Sequence, residues 1–204
     1  MRWLVIFSVF FFAVWADSFI GTTDIANWRI ENTLTAITVL CLIFTFKWYR
    51  FSTLSYFLIC AFLCLHVYGS KYTYAENPFG YWLQDILQTS RNPYDRLVHT
   101  SFGLLLYYPF YEILLNGLKL RKREALIIPV LIVLSASAIY EMIEWLVADK
   151  FFVEQGISYL GTQGDVWDSQ EDMFVAFIGS LLAALIFYVY RLSFGKRAHK
   201  MLKS

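Results

Sequence analysis

The stretch GTQGDVWDSQEDMFVAFIGSLLAALIFYVY, from Gly161 to Tyr190, sets an acidic loop directly against an apolar run. The run from Phe174 to Tyr190 carries no charged residue, as is typical of a membrane helix. The preceding loop places several carboxylates at the start of that helix: Asp165, Asp168, Glu171 and Asp172. The stretch therefore predicts a transmembrane helix that begins at a polar site.

The composition of the whole chain favours a membrane protein. Of the 204 residues, 58% are hydrophobic and 20% are aromatic, and the mean hydropathy is +0.51. Soluble domains are roughly 45–50% apolar. A net charge of +1 gives no basis for nucleic-acid binding. The cysteines Cys41, Cys60 and Cys64 all lie inside apolar runs, so a disulfide framework is not expected.

The apolar residues form six runs along the chain. A helix that crosses the bilayer needs about 20 residues at a rise of about 1.5 Å per residue. With their polar flanks the runs reach this length, and they predict an all-α fold, a polytopic membrane helical bundle of about six transmembrane helices. The runs are Trp3–Ala16, Asn32–Phe46, Phe51–Ser70, Pro93–Asn116, Ala125–Ala148 and Phe174–Leu192.

The segments between the runs predict two further features. Asp17–Glu31 is interpreted as a polar connection, and Phe79–Leu87 as a short helix in the membrane interface, because it mixes aromatic and polar residues. Met1 to Ala16 also resembles a cleavable signal peptide, which would leave five helices. We favour a retained helix, because a polytopic protein needs no cleaved signal, and expect 1–204 to form a single integral membrane domain.

The basic residues indicate how the helices are oriented. Short loops rich in Lys and Arg stay in the cytoplasm. With the N-terminus inside, 12 of the 17 Lys and Arg residues lie in inside segments, which predicts that both termini face the cytoplasm (N-in/C-in). Those twelve are Arg2, Lys47, Arg50, Lys119, Arg121, Lys122, Arg123, Arg191, Lys196, Arg197, Lys200 and Lys203.

The motif Asp95-Arg96-Leu97-Val98-His99 stands at the outer start of a predicted helix. Asp95 and His99 are four residues apart and share a helix face. Asp95 can be explained by capping, because a carboxylate near a helix N-terminus is favourable. His99 lies about 9 Å into the helix from its start, where an ionisable group is costly and usually functional.

Glu141 and Glu144 form an acidic pair near the outer end of the next helix. Spaced three residues apart, they lie side by side, and negative charge is unfavourable at a helix C-terminus. The free-energy cost of placing these two negative charges together must be offset by Arg96, by a proton or by a metal ion. An ion pair with Arg96 would make the pair structural, whereas a proton or a metal would make it functional.

The loop carboxylates divide into two groups. Asp168 and Glu171 have the spacing of a capping box at the start of the last helix. Asp165 and Asp172, and the glycines Gly161 and Gly164, are not explained by capping. Because Asp172 is four residues after Asp168, the two are expected on one side of the helix.

Groups from several helices are thus predicted at one depth near the outer face. Carboxylates with an imidazole suit a hard or borderline divalent cation, and they suit a proton relay equally well. The metal-ligand candidates are Glu141, Glu144, His99 and Asp165; the other candidate binding residues are Asp95, Arg96, Asp168 and Asp172. In an enzyme, Glu141 or Glu144 would be the general base or a ligand, and His99 a ligand or proton donor.

The motifs resemble those of the YjdF-like family of uncharacterised bacterial inner-membrane proteins. The segments that carry the resemblance are Asn92–His99, Tyr140–Trp145 and Gly161–Asp172. More loosely, the order of an Asp-Arg-x-x-His helix, a glutamate helix and a last helix that contains Gly179 is similar to the VanZ-like membrane proteins. Those proteins are linked to tolerance of glycopeptide antibiotics at the cell envelope. The resemblance implies a fold and a location in the inner membrane, and no activity.

Two hypotheses about function follow. In the first, the outward-facing acidic and histidine site binds a cation, a lipid headgroup or an envelope precursor, with or without catalysis. In the second, the protein is a non-catalytic small transporter or assembly factor, and its intramembrane charges form a structural or proton-relay network. The sequence indicates the lipid bilayer as a partner and a divalent metal ion as a candidate cofactor. It does not determine any protein partner or any other cofactor.

Overall fold

The regular structure is helical throughout the part of the chain that the computed structural model describes, residues 2–151, 160 and 162–201. Short π-helical turns follow α5 at Ile113–Gly117 and α6 at Val147–Phe151. The prediction of an all-α fold is confirmed. The α-helices are α1 (Arg2–Ile20), α2 (Ile25–Thr45), α3 (Thr53–Lys71), α4 (Pro78–Leu87), α5 (Tyr94–Glu112), α6 (Lys122–Leu146) and α7 (Asp168–Met201).

Four helical segments are long and apolar enough to cross a membrane. They are Arg2–Ile20, Thr53–Lys71, Lys122–Lys150 and Asp168–Ser193. Large apolar side chains on these helices face outward, and Phe10, Leu131 and Leu185 are 55–58% exposed. Such surfaces suit lipid, because soluble proteins rarely expose contiguous apolar area on this scale. Helices α2 and α5 have comparable length but carry charged residues.

The segment Asp17–Glu31 is not a polar connection, and that prediction is wrong. Helix α1 continues to Ile20, and α2 begins at Ile25 after a short turn. The Asp24 carboxylate accepts hydrogen bonds from the backbone N–H groups of Ala26 and Asn27, which fixes the start of α2. Two polar residues assigned to that connection, Asn27 and Glu31, are instead buried in the first turns of α2.

The short helix predicted at Phe79–Leu87 is present as α4. Its N-cap, Asn77, accepts hydrogen bonds from the N–H groups of Phe79 and Gly80. The aromatic side chains of Tyr81 and Trp82 are exposed on it. Exposed Tyr and Trp rings are typical of the headgroup region, and the position of α4 in the membrane interface stays a prediction.

Helices α5 and α7 form the closest contact in the bundle. Gly103 of α5 lies against the backbone of Ala176 and Ser180, and Gly179 of α7 lies against the backbone of Thr100. A Cβ atom at either glycine would overlap these backbone atoms. Small residues at this crossing therefore bring the two backbones together, as in other membrane helix pairs. Because the crossing lies one to two turns from His99 and Asp172 along their helices, it also brings those side chains together.

The remaining helices pack around this pair. Helix α5 also contacts α3 and α6, α7 contacts α6, and α1 and α2 pack on α3. At the end of the bundle opposite to the acidic loop, the buried Glu112 carboxylate accepts hydrogen bonds from Ser52 N–H and from the hydroxyls of Ser52 and Ser55. A carboxylate is favourable at the start of a helix, so Glu112 holds the beginning of α3 against α5.

Candidate functional site

Arg96 is the centre of a network of charges at the start of α7. Its Nη2 atom lies 2.9 Å from Asp168 Oδ1 and 3.2 Å from Asp165 Oδ2, and its Nη1 atom lies 2.5 Å from Asp172 Oδ2. The Arg96 Nη1 atom also donates to the Asp168 carbonyl oxygen at 3.1 Å. Charge-assisted hydrogen bonds of this kind are stronger than hydrogen bonds between neutral groups, because both partners carry charge in a place that water reaches poorly.

A second arginine, Arg91, completes this network. Its Nη1 atom pairs with Asp168 and lies 3.2 Å from Asp165 Oδ2. Glu171, which is largely exposed, pairs with Arg96 at 3.0 Å. The spacing of Asp168 and Glu171 predicted a capping box, but both carboxylates face Arg96 instead. The spacing of the acids in the loop could not indicate these partners, because the arginines come from α5 and from the segment before it, far away in the sequence.

The loop before α7 is held by backbone contacts. The Gln163 side-chain amide pairs with the backbone of Asn92, accepting from its N–H at 2.9 Å and donating to its carbonyl at 3.1 Å. The Asp165 carboxylate accepts from Trp167 N–H at 2.9 Å. This hydrogen bond, followed by the charges of Arg91 and Arg96, lowers the pKa of Asp165 below its ordinary value. Asp165 is therefore an ionised partner of the arginines at neutral pH.

A second, deeper layer of polar groups lies beneath the arginines. His99 Nε2 lies 3.6 Å from Asp95 Oδ1 on its own helix and 3.6 Å from Glu141 Oε1 on α6. The residues His99, Glu141 and Asp172 are buried, at 8%, 7% and 2% exposure. One ligand atom each from Asp95, His99 and Asp172 lie within 4.8 Å of one another. Three helices thus contribute to one buried cluster.

Two carboxylate oxygens in this layer are left without a hydrogen-bond partner. Asp172 binds Arg96 through Oδ2, and its Oδ1 atom is unpaired among the described residues. Glu141 Oε1 is likewise buried, and no hydrogen bond reaches it from the described part of the chain. An unpaired buried carboxylate oxygen is costly. A hydrogen-bond donor or a cation beside these two oxygens would offset that cost.

Next to this cluster is a cavity of about 350 Å³ between α2, α3, α5 and α6. Glu31, Asp95 and Glu144 line it, together with His66 and His99. The Tyr140 hydroxyl donates to Glu31 Oε2 at 3.2 Å and connects α6 to α2. The cavity extends the polar site from the start of α7 toward α2 and α3.

His66 is held by hydrogen bonds within the bundle. Its Nε2 atom lies 3.3 Å from the Glu31 carbonyl oxygen, and its Nδ1 atom lies 2.5 Å from the Tyr74 hydroxyl. A carbonyl can only accept, so Nε2 donates, and the Tyr74 hydroxyl can then donate to Nδ1. These partners suit a neutral imidazole.

The structure separates the predicted site residues into two groups. Asp95, His99, Glu141 and Asp172 meet in the buried cluster, and Glu144 lines the neighbouring cavity. Arg96 and Asp168 belong to the arginine network, as does Asp165, which was a predicted metal ligand. Among the described residues, Arg96 binds the acids of α7 and does not pair with Glu141 and Glu144. The structural alternative for these two glutamates is therefore not observed. Gly161 and Lys203, used in the sequence predictions, lie outside the described residues.

Several residues of the site were not identified from sequence. Glu31 was assigned to a connection, and Arg91, Gln163 and Tyr140 were not singled out. For Glu31 a signal existed: Asn27, Glu31 and Thr35 follow one another at four-residue spacing, which marks a polar helix face. For Arg91 and Gln163 the residues alone give no signal, because their partners lie about 70 positions away in the chain.

Comparisons with known proteins place this geometry in a membrane context. A family model described as "Predicted membrane protein (DUF2238)" matches residues 3–193. The chain is also similar to the "Inner membrane protein YjdF" of Escherichia coli (strain K12), with 40% identity over 168 residues, which cover 81% of this chain and 79% of that protein. No solved structure matches the chain.

Proposed function

This chain belongs to the DUF2238 family of predicted membrane proteins, and from that premise we propose that its bundle binds a divalent cation at the outer face of the inner membrane. The resemblance to the YjdF-like family is confirmed, and the protein is a multi-pass protein of the inner membrane. We further propose that residues 1–204 form one integral domain with six membrane spans and with both termini in the cytoplasm.

The proposal of six spans includes α2 and α5 beside the four most apolar segments. Helix α2 has 21 residues and α5 has 19, so each covers about 30 Å at helical rise, the thickness of a hydrocarbon core. The acidic side chains of Glu31 in α2 and Glu112 in α5 are only 4% and 6% exposed. Charges that face the bundle interior do not prevent a helix from spanning.

Cysteine labelling tests this topology. In a variant without Cys41, Cys60 and Cys64, we expect Gln88→Cys to react with a membrane-impermeant maleimide in intact spheroplasts. Lys119→Cys should react only after the membrane is permeabilised, because its loop belongs to the basic, cytoplasmic side. Labelling of both positions in intact spheroplasts, or the reverse pattern, would contradict the N-in/C-in orientation.

The observation that supports a cation site is the buried cluster of Asp95, His99 and Asp172. Ligand atoms on opposite sides of an ion lie at most about 4–5 Å apart, since metal–ligand distances are about 2.0–2.6 Å. The three ligand atoms meet this limit. Glu141 Oε1, unpaired among the described residues and 3.6 Å from His99 Nε2, is placed to add a fourth ligand. Oxygen ligands with one imidazole suit Mn²⁺ or Zn²⁺.

Equilibrium dialysis of the purified protein against Mn²⁺ and Zn²⁺, with elemental analysis, tests the site. We expect one ion per chain in the native protein and loss of that ion in His99→Gln. Glu141→Gln should weaken binding by about 10–100-fold if the carboxylate only orients a ligand, and more if it coordinates. The matched control is Asp85→Asn, which removes an exposed carboxylate of α4 on the same side of the bundle and should bind as the native protein does.

An independent measurement keeps the result interpretable. Far-UV circular dichroism and thermal unfolding of each variant show whether it is folded, so that loss of the ion in a folded His99→Gln supports the site. If the folded native protein bound neither Mn²⁺ nor Zn²⁺ at concentrations up to the millimolar range, the cation proposal would be overturned.

A second candidate function, a proton path, is favoured by one further observation. Further titratable side chains line the cavity beside the cluster, where Tyr140 donates to Glu31 and Tyr74 is hydrogen-bonded to His66. Chains of such groups carry protons in membrane transporters. Proton flux into liposomes that contain the protein, lost in Glu144→Gln and present without any divalent ion, would select this function over cation binding.

A further inference from the structure

We propose that the cavity of about 350 Å³ between α2, α3, α5 and α6 binds an amphipathic amine, that is, a molecule with an apolar chain and a protonated amino group, which enters from the lipid. This inference goes beyond the cation site. It shares Asp95 and His99 with that site but depends on residues of α2, α3 and α6 that the cation does not need.

The size of the cavity suits a small ligand. Binding sites for small molecules have volumes of roughly 300–1,000 Å³, so 350 Å³ corresponds to a small molecule or to one end of a larger one. The lining is divided by chemistry. One part carries carboxyl, imidazole and hydroxyl groups, and the rest consists of apolar side chains, among them Phe62, Leu63, Phe102 and Ile143.

The charge of the lining favours a cation over an anion. Three carboxyl groups line the cavity, those of Glu31, Asp95 and Glu144, and no Lys or Arg from the described residues does. Arg96, on the same helix as Asp95, forms ion pairs with Asp168 and Asp172 of α7. The hydrogen bonds of His66 suit a neutral ring, so that residue supplies no compensating charge. An ammonium group would offset carboxylates that are otherwise costly to bury.

Two hydroxyl groups give an independent sign of a ligand. Thr35 and Ser137 both line the cavity, both are only 2% exposed, and neither hydroxyl has a hydrogen-bond partner among the described residues. Buried polar groups are nearly always paired in folded proteins. An amino group can donate up to three hydrogen bonds, enough to satisfy acceptors on α2 and α6 together.

The mouth of the cavity indicates where the ligand enters. Among the lining residues, Thr38 of α2 and Ile139 of α6 are the exposed ones, so the cavity opens between these helices. Exposed apolar residues flank this opening, including Ile37 beside Thr38 on α2 and Met142 one turn from Ile139 on α6, at 49% and 57% exposure. An opening through an apolar surface admits a ligand from the bilayer. That route requires an apolar chain beside the amine.

Photolabelling in lipid nanodiscs tests this inference. The probes are a decylamine that carries a diazirine on its chain and the decanol with the same diazirine, and labelled peptides are identified by mass spectrometry. We expect the amine to label α2 and α6 at least about tenfold more than the alcohol, the difference that one charge-assisted hydrogen bond supplies. Glu31→Gln combined with Glu144→Gln should remove that preference.

Two further variants separate this inference from the others. Ile139→Trp, which fills the mouth, should reduce labelling by both probes. Asp172→Asn removes a cation ligand that lies outside the cavity lining, so it should abolish Mn²⁺ binding and leave the amine preference intact. Equal labelling by amine and alcohol in the native protein would overturn the proposal and indicate an apolar cavity only. A preference that survives the double glutamine change would also overturn it, and neither result would bear on the cation site.

Discussion

Replacing Arg96 with alanine is expected to destabilise the folded protein by about 3–5 kcal/mol, the cost of breaking a buried ion pair from one side. Arg96 is the partner of Asp172 Oδ2 at 2.5 Å, and Asp172 is 2% exposed. Without the guanidinium, the Asp172 charge would stay buried beside Asp168 and Asp95. Thermal or denaturant unfolding in detergent micelles measures the change in the free energy of unfolding.

A second substitution distinguishes this electrostatic cause from a loss of packing. In Arg96→Ala with Asp172→Asn, the uncompensated charge is gone, so much of the lost stability should return. Arg96→Lys should lie between the native protein and Arg96→Ala, because an ammonium cannot reproduce the planar fork that reaches Asp172 and Asp168 together. Equal destabilisation in the single and double variants would contradict the charge explanation.

Gly179→Ala is expected to weaken the contact between α5 and α7 by about 3 kcal/mol, the upper end for an overpacked core. A Cβ atom at Gly179 meets the backbone carbonyl of Thr100, which cannot turn aside as a side chain can. The helices must separate, and Asp172 then moves away from Asp95 and His99. We therefore expect lower stability, measured by unfolding in detergent, and weaker Mn²⁺ binding, measured by dialysis.

Gly21→Ala is the matched control for this prediction. A Cβ atom at Gly21 meets the flexible end of the Lys71 side chain, which can move away at little cost. Its stability should remain close to that of the native protein, and its ion binding should be unchanged. If Gly179→Ala behaved like Gly21→Ala, the close crossing of α5 and α7 would not be what positions the cluster.

Much of the fold could be predicted from the sequence because the bilayer imposes a strong pattern. Long apolar runs such as Phe174–Leu192 can only bury themselves in lipid or in a large core, and their polar flanks limit where each helix ends. The short helix at Phe79–Leu87 was predicted from its mixture of aromatic and polar residues and is present as α4. The error at Asp17–Glu31 has the same origin, because a polar helix face directed into the bundle looks like a loop when only hydropathy is considered.

The chemistry of the site could be anticipated only in part. Ionisable residues in apolar surroundings, such as His99 and Glu141, are conspicuous in a sequence because they are costly in a membrane. Their partners are not conspicuous, because a salt bridge or hydrogen bond depends on distances between segments far apart in the chain. Arg96 was one of three alternatives for offsetting the charge of the glutamates of α6, beside a proton and a metal ion, and it pairs instead with the acids of α7.

The sequence by itself determined that this is an all-helical membrane protein with an acidic loop, an Asp-Arg-x-x-His motif and a glutamate pair directed to one face. The stretch from Gly161 to Tyr190 determined where the last helix begins and that its start is polar. Only the tertiary structure decided which acids pair with the arginines, and which carboxylate oxygens have no hydrogen-bond partner among the described residues. The reason is the crossing at Gly103 and Gly179, where two backbones approach closely and set Asp172 beside Asp95 and His99.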